Sequence, residues 1–406
     1  MSKFPQIEVQ LVIKRIARGI NPDYAESGIP IINQKCVRPL NKIDMQFCKY
    51  QKDDDSPLEK TLQVEKGDIF VNPLGDGTLG RAAHVNFEVS EALTWDRNLA
   101  LITPDHEKVC SRFLGWSIHS KEEELVSCRL GGTNQLMLPT RAILHLKVPF
   151  PPLETQQSIA DYLDKETGEI DEMIENLEGL VGDLNNRKFQ IVDDVLHGKV
   201  RVLNRESVDF APLWKFAEVN PLTPEINQLD ESEMVAFVPL EDVYPQNAKD
   251  DLGQISLGGN ITSYTRFRNG DVLLPKVSPT VWHGRAMIAD TNTSVGLASS
   301  EVHVLRAYEG INTRWIQLHF LSKSFLDEVR GELTGVAGLQ RVSPLFIRNM
   351  KMMSISREEQ DKIVAYLDEE LTDLIEILEQ CSGLIEDLKA RRSALITGVV
   401  SGRKEV

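Results

Sequence analysis

Residues 154–198 read ETQQSIADYLDKETGEIDEMIENLEGLVGDLNNRKFQIVDDVLHG, and residues 358–402 read EEQDKIVAYLDEELTDLIEILEQCSGLIEDLKARRSALITGVVSG. Laid over each other at a constant offset of 204 residues, the two stretches need no gap and are identical at 16 of 45 positions. The shared residues include Gln156 and Gln360 and the Tyr-Leu-Asp runs at 162–164 and 366–368. A period of about half the chain predicts two copies of one unit and approximate twofold symmetry.

Within each stretch, apolar residues recur at alternating spacings of four and three, which is typical of the a/d seam of a coiled coil. Two basic residues, Lys188 and Arg392, interrupt the seam at equivalent positions. Such a residue either fixes the register or partner, or marks the end of the seam with its side chain reaching to solvent. The predicted helix seam consists of Ile170, Ile174, Leu177, Val181, Leu184, Ile191, Val195, Leu374, Leu378, Cys381, Ile385, Leu388, Leu395 and Val399.

Each helix has clear start and stop signals. Pro151-Pro152 and Ser356 precede the two stretches, and Gly198 and Gly402 follow them. A helix of about 42 residues is on the order of 60 Å long. The first globular segment leads into helix one, whose end leads into the second globular segment and then helix two, so we expect the helices to run antiparallel.

This connectivity predicts four segments: globular residues 1–150, helical residues 151–200, globular residues 201–356 and helical residues 357–406. The globular segments repeat faintly, with Gly-Asp-Ile at 67–69 matching Gly-Asp-Val at 270–272. Short β-rich runs broken by Gly, Pro, Asn and Asp predict mixed, mainly β domains with a few helices, including 315–333. The predicted fold class is α+β, with two such domains separated by two long antiparallel coiled-coil helices.

The formal charge of −16 at first argues against a nucleic-acid partner. Residues 154–198 carry 12 acidic and 3 basic residues, and residues 358–402 carry 11 and 4. These charges of −9 and −7 account for the whole excess. The remainder is therefore neutral and compatible with a basic DNA-binding face.

Composition excludes several protein classes. No apolar run approaches the roughly 20 residues of a membrane helix, and residues 1–5 lack a secretory h-region, so we expect a cytoplasmic protein without a membrane partner. The five cysteines contain no CxxC pair and no zinc-like spacing. They predict reduced, mostly buried thiols and no metal site.

Residues 75–80, GDGTLG, formally spell the GxGxxG of dinucleotide sites. Such a site requires a helix opening at these glycines, but residues 81–87 alternate like a strand, which favours a glycine-rich surface turn. The chain also lacks the Asn/Asp-Pro-Pro-aromatic motif of amino-methyltransferases, a Walker A sequence and HExxH, and its eight histidines are scattered. We therefore expect a non-catalytic chain without a cofactor of its own.

The chain resembles the specificity subunit of a type I restriction-modification system over essentially its whole length. The duplicated helix motif is the most specific part of this resemblance. The residues that carry it are PLETQQSIADYLD at 152–164, REEQDKIVAYLD at 357–368, the Gly-Asp strand openers, the Gly-Arg pairs 80–81 and 284–285, ASSE at 298–301 and LQRVSP at 339–344.

The resemblance implies that each globular domain is a target recognition domain reading one half of a split, asymmetric sequence in double-stranded DNA. It implies that the paired helices set the distance between the halves and dock two DNA-methyltransferase subunits, with restriction and translocase subunits joining through the complex. S-adenosylmethionine would bind the partner methyltransferase. The recognition domains depart from the family pattern, so the target sequence is not inherited.

Major-groove readout uses Arg or Lys with guanine and Asn or Gln with adenine, and hydroxyls contact either. The recurrent loops offer suitable side chains in both domains. The candidate DNA-binding residues are Thr78, Arg81, Asn134 and Gln135 in the first domain, and Lys276, Ser278, Arg285, Gln340 and Arg341 in the second. The alternative for each is fold maintenance, which the repeated Gly-Arg pairs favour for Arg81 and Arg285.

Two other functions remain open from the residues alone. One is a coiled-coil adaptor that binds proteins without DNA readout, because acidic helix faces are often simply solvated or cover a partner. The other is a nucleotide-dependent enzyme built on the glycine turn. Salt-sensitive DNA binding separates the first from the specificity subunit, and dinucleotide binding by the isolated chain would support the second.

Overall fold

A computed structural model describes residues 2–39, 41–52, 59–75, 77–130, 136–203, 207–244, 252–258, 263–278, 280–332 and 340–406. The chain forms two compact units. Unit 1 comprises residues 1–177 and 384–406, and unit 2 comprises residues 178–383. Each unit therefore contains one globular domain together with a part of each long helix.

The strands of unit 1 form two larger sheets and two small pairs. One four-stranded sheet has the order β2-β11-β8-β9, and the other has the order β10-β4-β7-β3 with a parallel β10-β4 pair. The strands are β1 (Gln6–Glu8), β2 (Ile13–Arg18), β3 (Tyr24–Ala25), β4 (Ile29–Ile32), β5 (Val37–Arg38), β6 (Lys42–Ile43), β7 (Lys49–Gln51), β8 (Ile69–Val71), β9 (Ala82–His84), β10 (Thr94–Trp95), β11 (Ala100–Pro104) and β12 (Lys147–Pro149); the short helices are α1 (Ser111–His119), α2 (Glu122–Ser127) and α3 (Thr140–Leu144).

Strand β8 is buried on both faces because side chains alternate along a strand. Ile69 and Val71 pack in one apolar cluster, and Phe70 packs in another with Trp95 and Leu101. This double burial explains the continuous apolar run after Gly67-Asp68.

Unit 2 repeats the main sheet of unit 1 in the order β14-β21-β18-β19. Its second sheet, β16-β15-β20-β17, again contains a parallel pair, β15-β20. The strands are β13 (Phe210–Pro212), β14 (Ala217–Val219), β15 (Met234–Val238), β16 (Gln254–Ser256), β17 (Thr265–Arg268), β18 (Val272–Pro275), β19 (Met287–Ile288), β20 (Val295–Ala298), β21 (Val302–Ala307) and β22 (Lys351–Met353); the short helices are α5 (Thr313–His319), α6 (Lys323–Glu332) and α7 (Pro344–Asn349).

The long helices confirm the sequence prediction. Helix α4 spans Leu153–Leu196 and helix α8 spans Arg357–Val400, each 44 residues, or about 65 Å at 1.5 Å per residue. Gly198 and Gly402 follow them with φ of +69° and +72°, the left-handed conformation that ends helices. The α+β fold class and the Pro-Pro and Ser start signals are also confirmed.

Within each unit the two helices pack antiparallel. In unit 1, Ile159 and Leu163 near the start of α4 share an apolar cluster with Ile396 and Val399 near the end of α8. In unit 2, Val192 and Val195 near the end of α4 share a cluster with Ile363 and Leu367 near the start of α8.

The stretch at 315–333, which was predicted to be helical, is largely helical but interrupted. The structure has two helices there, α5 and α6, separated by residues 320–322. The Ser322 hydroxyl donates to the His319 carbonyl (2.8 Å) and accepts from the Phe325 N–H (3.3 Å). This serine closes one helix and caps the next, a signal that the apolar periodicity concealed. Leu333 lies outside the described residues.

Candidate nucleic-acid interface

Four of the predicted DNA-binding residues come together in unit 2. Val277 and Arg341 form an isolated antiparallel bridge. On either side of it, the Ser278 N–H donates to the Gln340 carbonyl (3.0 Å) and the Val342 N–H donates to the Lys276 carbonyl (2.8 Å). Two loops more than 60 residues apart in sequence thus form one surface, which we call the basic loop cluster: Lys276, Ser278, Gln340 and Arg341.

Arg341 is the exposed member of this cluster. Its Nε and Nη2 atoms donate to the two carboxylate oxygens of Glu301, each at 2.7 Å. This pair raises the pKa of Arg341 and lowers that of Glu301. These two hydrogen bonds fix the plane of the guanidinium group and use two of its five N–H donors. The other donors remain available to a ligand.

Lys276 is half-buried, and a backbone carbonyl holds its ammonium group in place. Its Nζ donates to the Ser300 carbonyl at 2.6 Å, and burial lowers its pKa. Ser300 and Glu301 belong to one turn, which therefore orients both cations of the cluster. From the sequence, this turn supported only the family resemblance, and its role in the site was not predicted.

His303 and Asn220 support the basic loop cluster, and sequence reasoning missed both. The Val342 carbonyl can only accept, so His303 Nε2 donates to it (3.1 Å), and Nδ1 accepts from Asn220 Nδ2 (3.1 Å). Burial lowers the pKa of His303 to about 4, which keeps the ring neutral. Asn220 has φ +54°, a conformation that asparagine tolerates better than most residues.

In unit 1, Thr78 and Arg81 lie in the segment that we call the glycine turn, residues 72–75 and 77–81, between antiparallel strands β8 and β9. The Thr78 hydroxyl donates to the Leu74 carbonyl (3.2 Å), and Arg81 Nη2 donates to the Gly77 carbonyl (2.8 Å). A strand follows the glycines, so the expectation of a turn in place of a dinucleotide-binding helix is confirmed. The contact with Gly77 shows Arg81 stabilising its own turn.

The segment at 136–138 borders the glycine turn as 340–342 borders Lys276 in unit 2. Leu74 pairs with Met137 in an isolated bridge, and the Leu138 N–H donates to the Pro73 carbonyl at 2.8 Å. Asn134 and Gln135, the other two candidates of this unit, lie outside the described residues.

Gln34 joins a second loop of unit 1 to the glycine turn. Its Nε2 donates to the Leu74 carbonyl (2.8 Å), and its own carbonyl accepts from Asn72 Nδ2 (3.4 Å). Sequence reasoning missed this contact because Gln34 belongs to no repeated motif.

Arg285 lies apart from the basic loop cluster. Its guanidinium carbon is 4.3 Å from the centroid of the Tyr244 ring, a cation–π contact. Arg285 and Lys188 line the same groove between the globular domain and the helices of unit 2. The structure thus gives Arg285 a packing contact and does not join it to the four clustered candidates.

The predicted helix seam residues are buried or half-buried throughout. The two basic interruptions differ, however. Arg392 is 2% exposed, and its Nε donates to Asp171 Oδ1 at 2.7 Å. Lys188 is half-buried beside the Phe189 ring, and within the described ranges it has no carboxylate partner. Position 375, equivalent to Asp171, is an isoleucine.

The identical glutamines of the repeat join each helix to its globular domain. Gln156 Oε1 accepts from the backbone N–H of Cys110, and Gln360 Oε1 accepts from that of Asn312, both at 2.9 Å. Both glutamines are buried, at 1% and 0% exposure. Cys110 and Asn312 are the residues that precede α1 and α5.

The identical aspartates make a second such connection. Arg112 donates to Asp164 (2.6 Å) and Asp161 (2.5 Å), and Arg314 donates to Asp368 (2.8 Å). Two of the positions that are identical in the repeats therefore serve contacts inside each unit.

Within the described residues, no three His, Cys, Asp or Glu side chains stand close enough together to hold a metal ion. Over the same ranges, no helix combines the length and apolar character needed to span a membrane. The four residues of the basic loop cluster carry hydrogen-bond donors and acceptors on loops, a set suited to binding a polyanion.

Residues 21–178 match the model of a protein family that is described as the type I restriction modification DNA specificity domain. The chain is 28% identical over 177 residues to the type I restriction enzyme EcoAI specificity subunit of Escherichia coli, an alignment covering 43% of this chain and 29% of that protein. It is 34% identical over 190 residues to the MjaVIII specificity subunit of Methanocaldococcus jannaschii, covering 45% and 42%. These alignments span less than half of either relative.

A solved structure described as the structural basis of complex assembly and conformational transition of the type I R-M system matches with a TM-score of 0.63. The match covers 100% of both chains at 14% identity, so it establishes a shared fold.

Proposed function

Because residues 21–178 belong to the family of type I restriction modification DNA specificity domains, we propose that the chain is the sequence-recognition subunit of such a system. In this proposal it binds double-stranded DNA and performs no catalysis itself. Each globular domain contacts one half of a bipartite, asymmetric target, and the chain acts in the cytoplasm.

The basic loop cluster carries the proposal. It presents an arginine with a fixed plane, a lysine, a hydroxyl and an amide on one surface, the groups that contact base edges and phosphates. Glu301 leaves part of the Arg341 guanidinium free, so Arg341 is the residue in this cluster best placed for bidentate contact with guanine. In unit 1 the glycine turn supports close backbone approach to phosphates, because Gly75 and Gly77 are exposed and have no side chain in the way.

The helices supply the partner surface in this proposal. Their acidic faces repel DNA and suit docking of basic surfaces on two methyltransferase subunits, which would bind S-adenosylmethionine. Restriction and translocase subunits would join through that complex. The competing function, a protein adaptor without DNA readout, draws on the same acidic faces and predicts no salt-dependent DNA affinity.

Arg341→Ala tests the DNA-binding surface. In the chain assembled with its methyltransferase subunits, we expect target affinity to fall by about 1–3 kcal/mol, roughly 5- to 150-fold, because one bidentate base contact is lost. Fluorescence anisotropy with target duplex over a range of salt concentrations measures this loss and the number of phosphate contacts.

Arg348→Ala is the matched control, since Arg348 is an exposed arginine on α7, outside the cluster. Equal losses in the two variants would assign the effect to general charge and contradict a base-contacting role for Arg341. Salt-independent binding by the unaltered complex would favour the adaptor.

A further inference from the structure

Three sulfur atoms of unit 1 lie close together although sequence spacing gives no sign of it. Cys36 Sγ is 3.8 Å from Cys48 Sγ, and Cys48 Sγ is 3.6 Å from Met45 Sδ. Strands β5 and β6 form the hairpin that returns the chain, and the Asp44 N–H donates to the Cys36 carbonyl at 2.9 Å. A single turn of 3-10 helix at Met45–Phe47 then places Cys48 beside Cys36.

The surroundings of the sulfur atoms suit a metal thiolate. Cys36 is fully buried, and its Sγ accepts from the Asn33 N–H at 3.4 Å. Cys48 is half-buried and Met45 is exposed, so an ion can reach the sulfurs from solvent.

Two thiolates and a thioether form a soft donor set, which selects Cu(I) and similar ions over Mg²⁺ or Ca²⁺. We propose that Cys36, Cys48 and Met45 bind one soft monovalent metal cation of the Cu(I) and Ag(I) class. Binding replaces the thiol protons, which pass to solvent, and leaves the oxidation states of metal and sulfur unchanged.

The sulfur site is linked to the glycine turn through Gln34. Asn33 and Cys36 close one tight turn, with the Cys36 N–H donating to the Asn33 carbonyl at 2.9 Å. Gln34, inside that turn, donates to the Leu74 carbonyl, which also accepts from Thr78. If the glycine turn contacts DNA as proposed above, a metal that fixes Cys36 preorganises Gln34 and Thr78 and strengthens binding of the unit 1 half-site.

Anaerobic titration of the full chain with Cu(I), in competition with a chromophoric chelator, tests the site, and native mass spectrometry gives the stoichiometry. We expect one Cu(I) per chain. Cys36→Ser and Cys48→Ser should each weaken binding by more than about 100-fold, because loss of an outer-shell partner alone costs about 10- to 100-fold. Met45→Leu should weaken it less, since both thiolates remain.

Cys128→Ser is the matched control, because Cys128 is an exposed cysteine elsewhere in unit 1. It should bind one Cu(I) with unaltered affinity. Absence of Cu(I) binding, or equal binding by the Cys48→Ser and unaltered chains, would overturn the site. If Cys36→Ser fails to fold, Cys48→Ser still tests the site, because Cys48 is less buried than Cys36.

DNA binding by the assembled complex tests the connection to the glycine turn. We expect Cu(I) to tighten target binding about fivefold or more, the low end of typical coupling between sites, and to have no effect on the Cys48→Ser complex. Stoichiometric metal binding with unchanged DNA affinity would refute the connection. A complex that binds no DNA with or without metal would refute the proposed function, while the titration would still decide on the metal site.

Discussion

At the scale of single residues, the structure explains why particular positions of the repeated motif are identical. Gln156 and Gln360 are identical because each accepts from the residue that precedes a short helix of its own globular domain. Asp164 and Asp368 are identical because each accepts from an arginine of that domain. The motif therefore fixes the globular domain on the helix, and the heptad seam is a separate feature superimposed on it.

Replacing the two basic seam residues is expected to change the free energy of unfolding in opposite directions. Burial raises the pKa of Asp171 and lowers that of Arg392, so each charge depends on the other. Arg392→Met should lower the free energy of unfolding by about 2 kcal/mol, because Asp171 keeps a partly buried charge. Lys188→Met should raise it by roughly 1 kcal/mol, because burial lowers the pKa of an unpaired lysine.

Urea denaturation of both variants measures the difference. Both variants place methionine at equivalent seam positions. Arginine and lysine have similar helix propensities, so the comparison mainly reports the loss of each charge. Destabilisation of similar size in both variants would contradict the distinction and would indicate that Lys188 has a stabilising partner.

The buried ring of His303 is expected to lower the free energy of unfolding in acid. Its pKa is about 4 in the folded chain, below the ordinary value of 6.5. Between these values the unfolded chain takes up a proton that the folded chain does not, so the free energy of unfolding falls as pH drops from 6.5 to 4. The difference corresponds to on the order of 2–3 kcal/mol.

His303→Gln should reduce this pH dependence by about that amount, as measured by urea denaturation at several pH values from 7 to 4. His106→Gln, at an exposed ring, serves as control. His84, His119 and His319 also have pKa values of about 4 from burial, so a residual slope is expected. An unchanged slope in His303→Gln would show that this ring is protonated in the folded chain.

At the scale of elements, the long helices were predictable and the helices of the domains were less so. Helix α4 and helix α8 have local signals at every turn: start residues, a 4,3 apolar spacing and a terminal glycine. The predicted helical stretch at 315–333 contains both α5 and α6. The break between them was not predicted, because Ser322, which separates them, lies within a continuous apolar periodicity.

The helices also predict how target spacing depends on length. A heptad inserted after Leu177 and after Gly383 lengthens both helices where the two units meet in sequence. Seven residues add about 10 Å, or about three base pairs of B-DNA, and keep the seam in register. We expect the spacer between the half-sites to grow by about that amount while the half-sites stay the same.

Base-resolved methylation mapping in cells with the cognate methyltransferase reads out both quantities. A four-residue insertion provides a second length that also preserves the seam approximately. Changed half-sites with an intact spacer would contradict the role of the helices as a ruler.

At the scale of the whole molecule, the repetition predicts modular recognition. If the proposed function holds, replacing residues 1–150 with the corresponding domain of a specificity subunit with a different target should change one half-site and leave the other unaltered. Methylation mapping again measures the outcome. The graft must retain partners equivalent to Arg112 and Trp116, which donate to Asp164 of α4. Changes in both half-sites would contradict modularity.

The sequence by itself determined the duplication, the bounds of both long helices and the location of the net charge in them. These properties are local or periodic, so a linear pattern contains them completely. It also identified candidate loops, but it could not join Lys276 to Arg341. Strand β18 pairs with β21, and Glu301 and His303, at the start of β21, hold the loop that contains Arg341.

Only the tertiary structure decided which equivalent residues behave alike. Arg392 and Lys188 occupy the same seam position, yet Arg392 pairs with Asp171, whereas Lys188 lines a groove together with Ile375. Likewise, Cys36 and Cys48 appear unrelated in sequence, and a hairpin brings their sulfur atoms to 3.8 Å. Burial and pairing depend on what packs opposite a side chain, and that neighbour is distant in sequence.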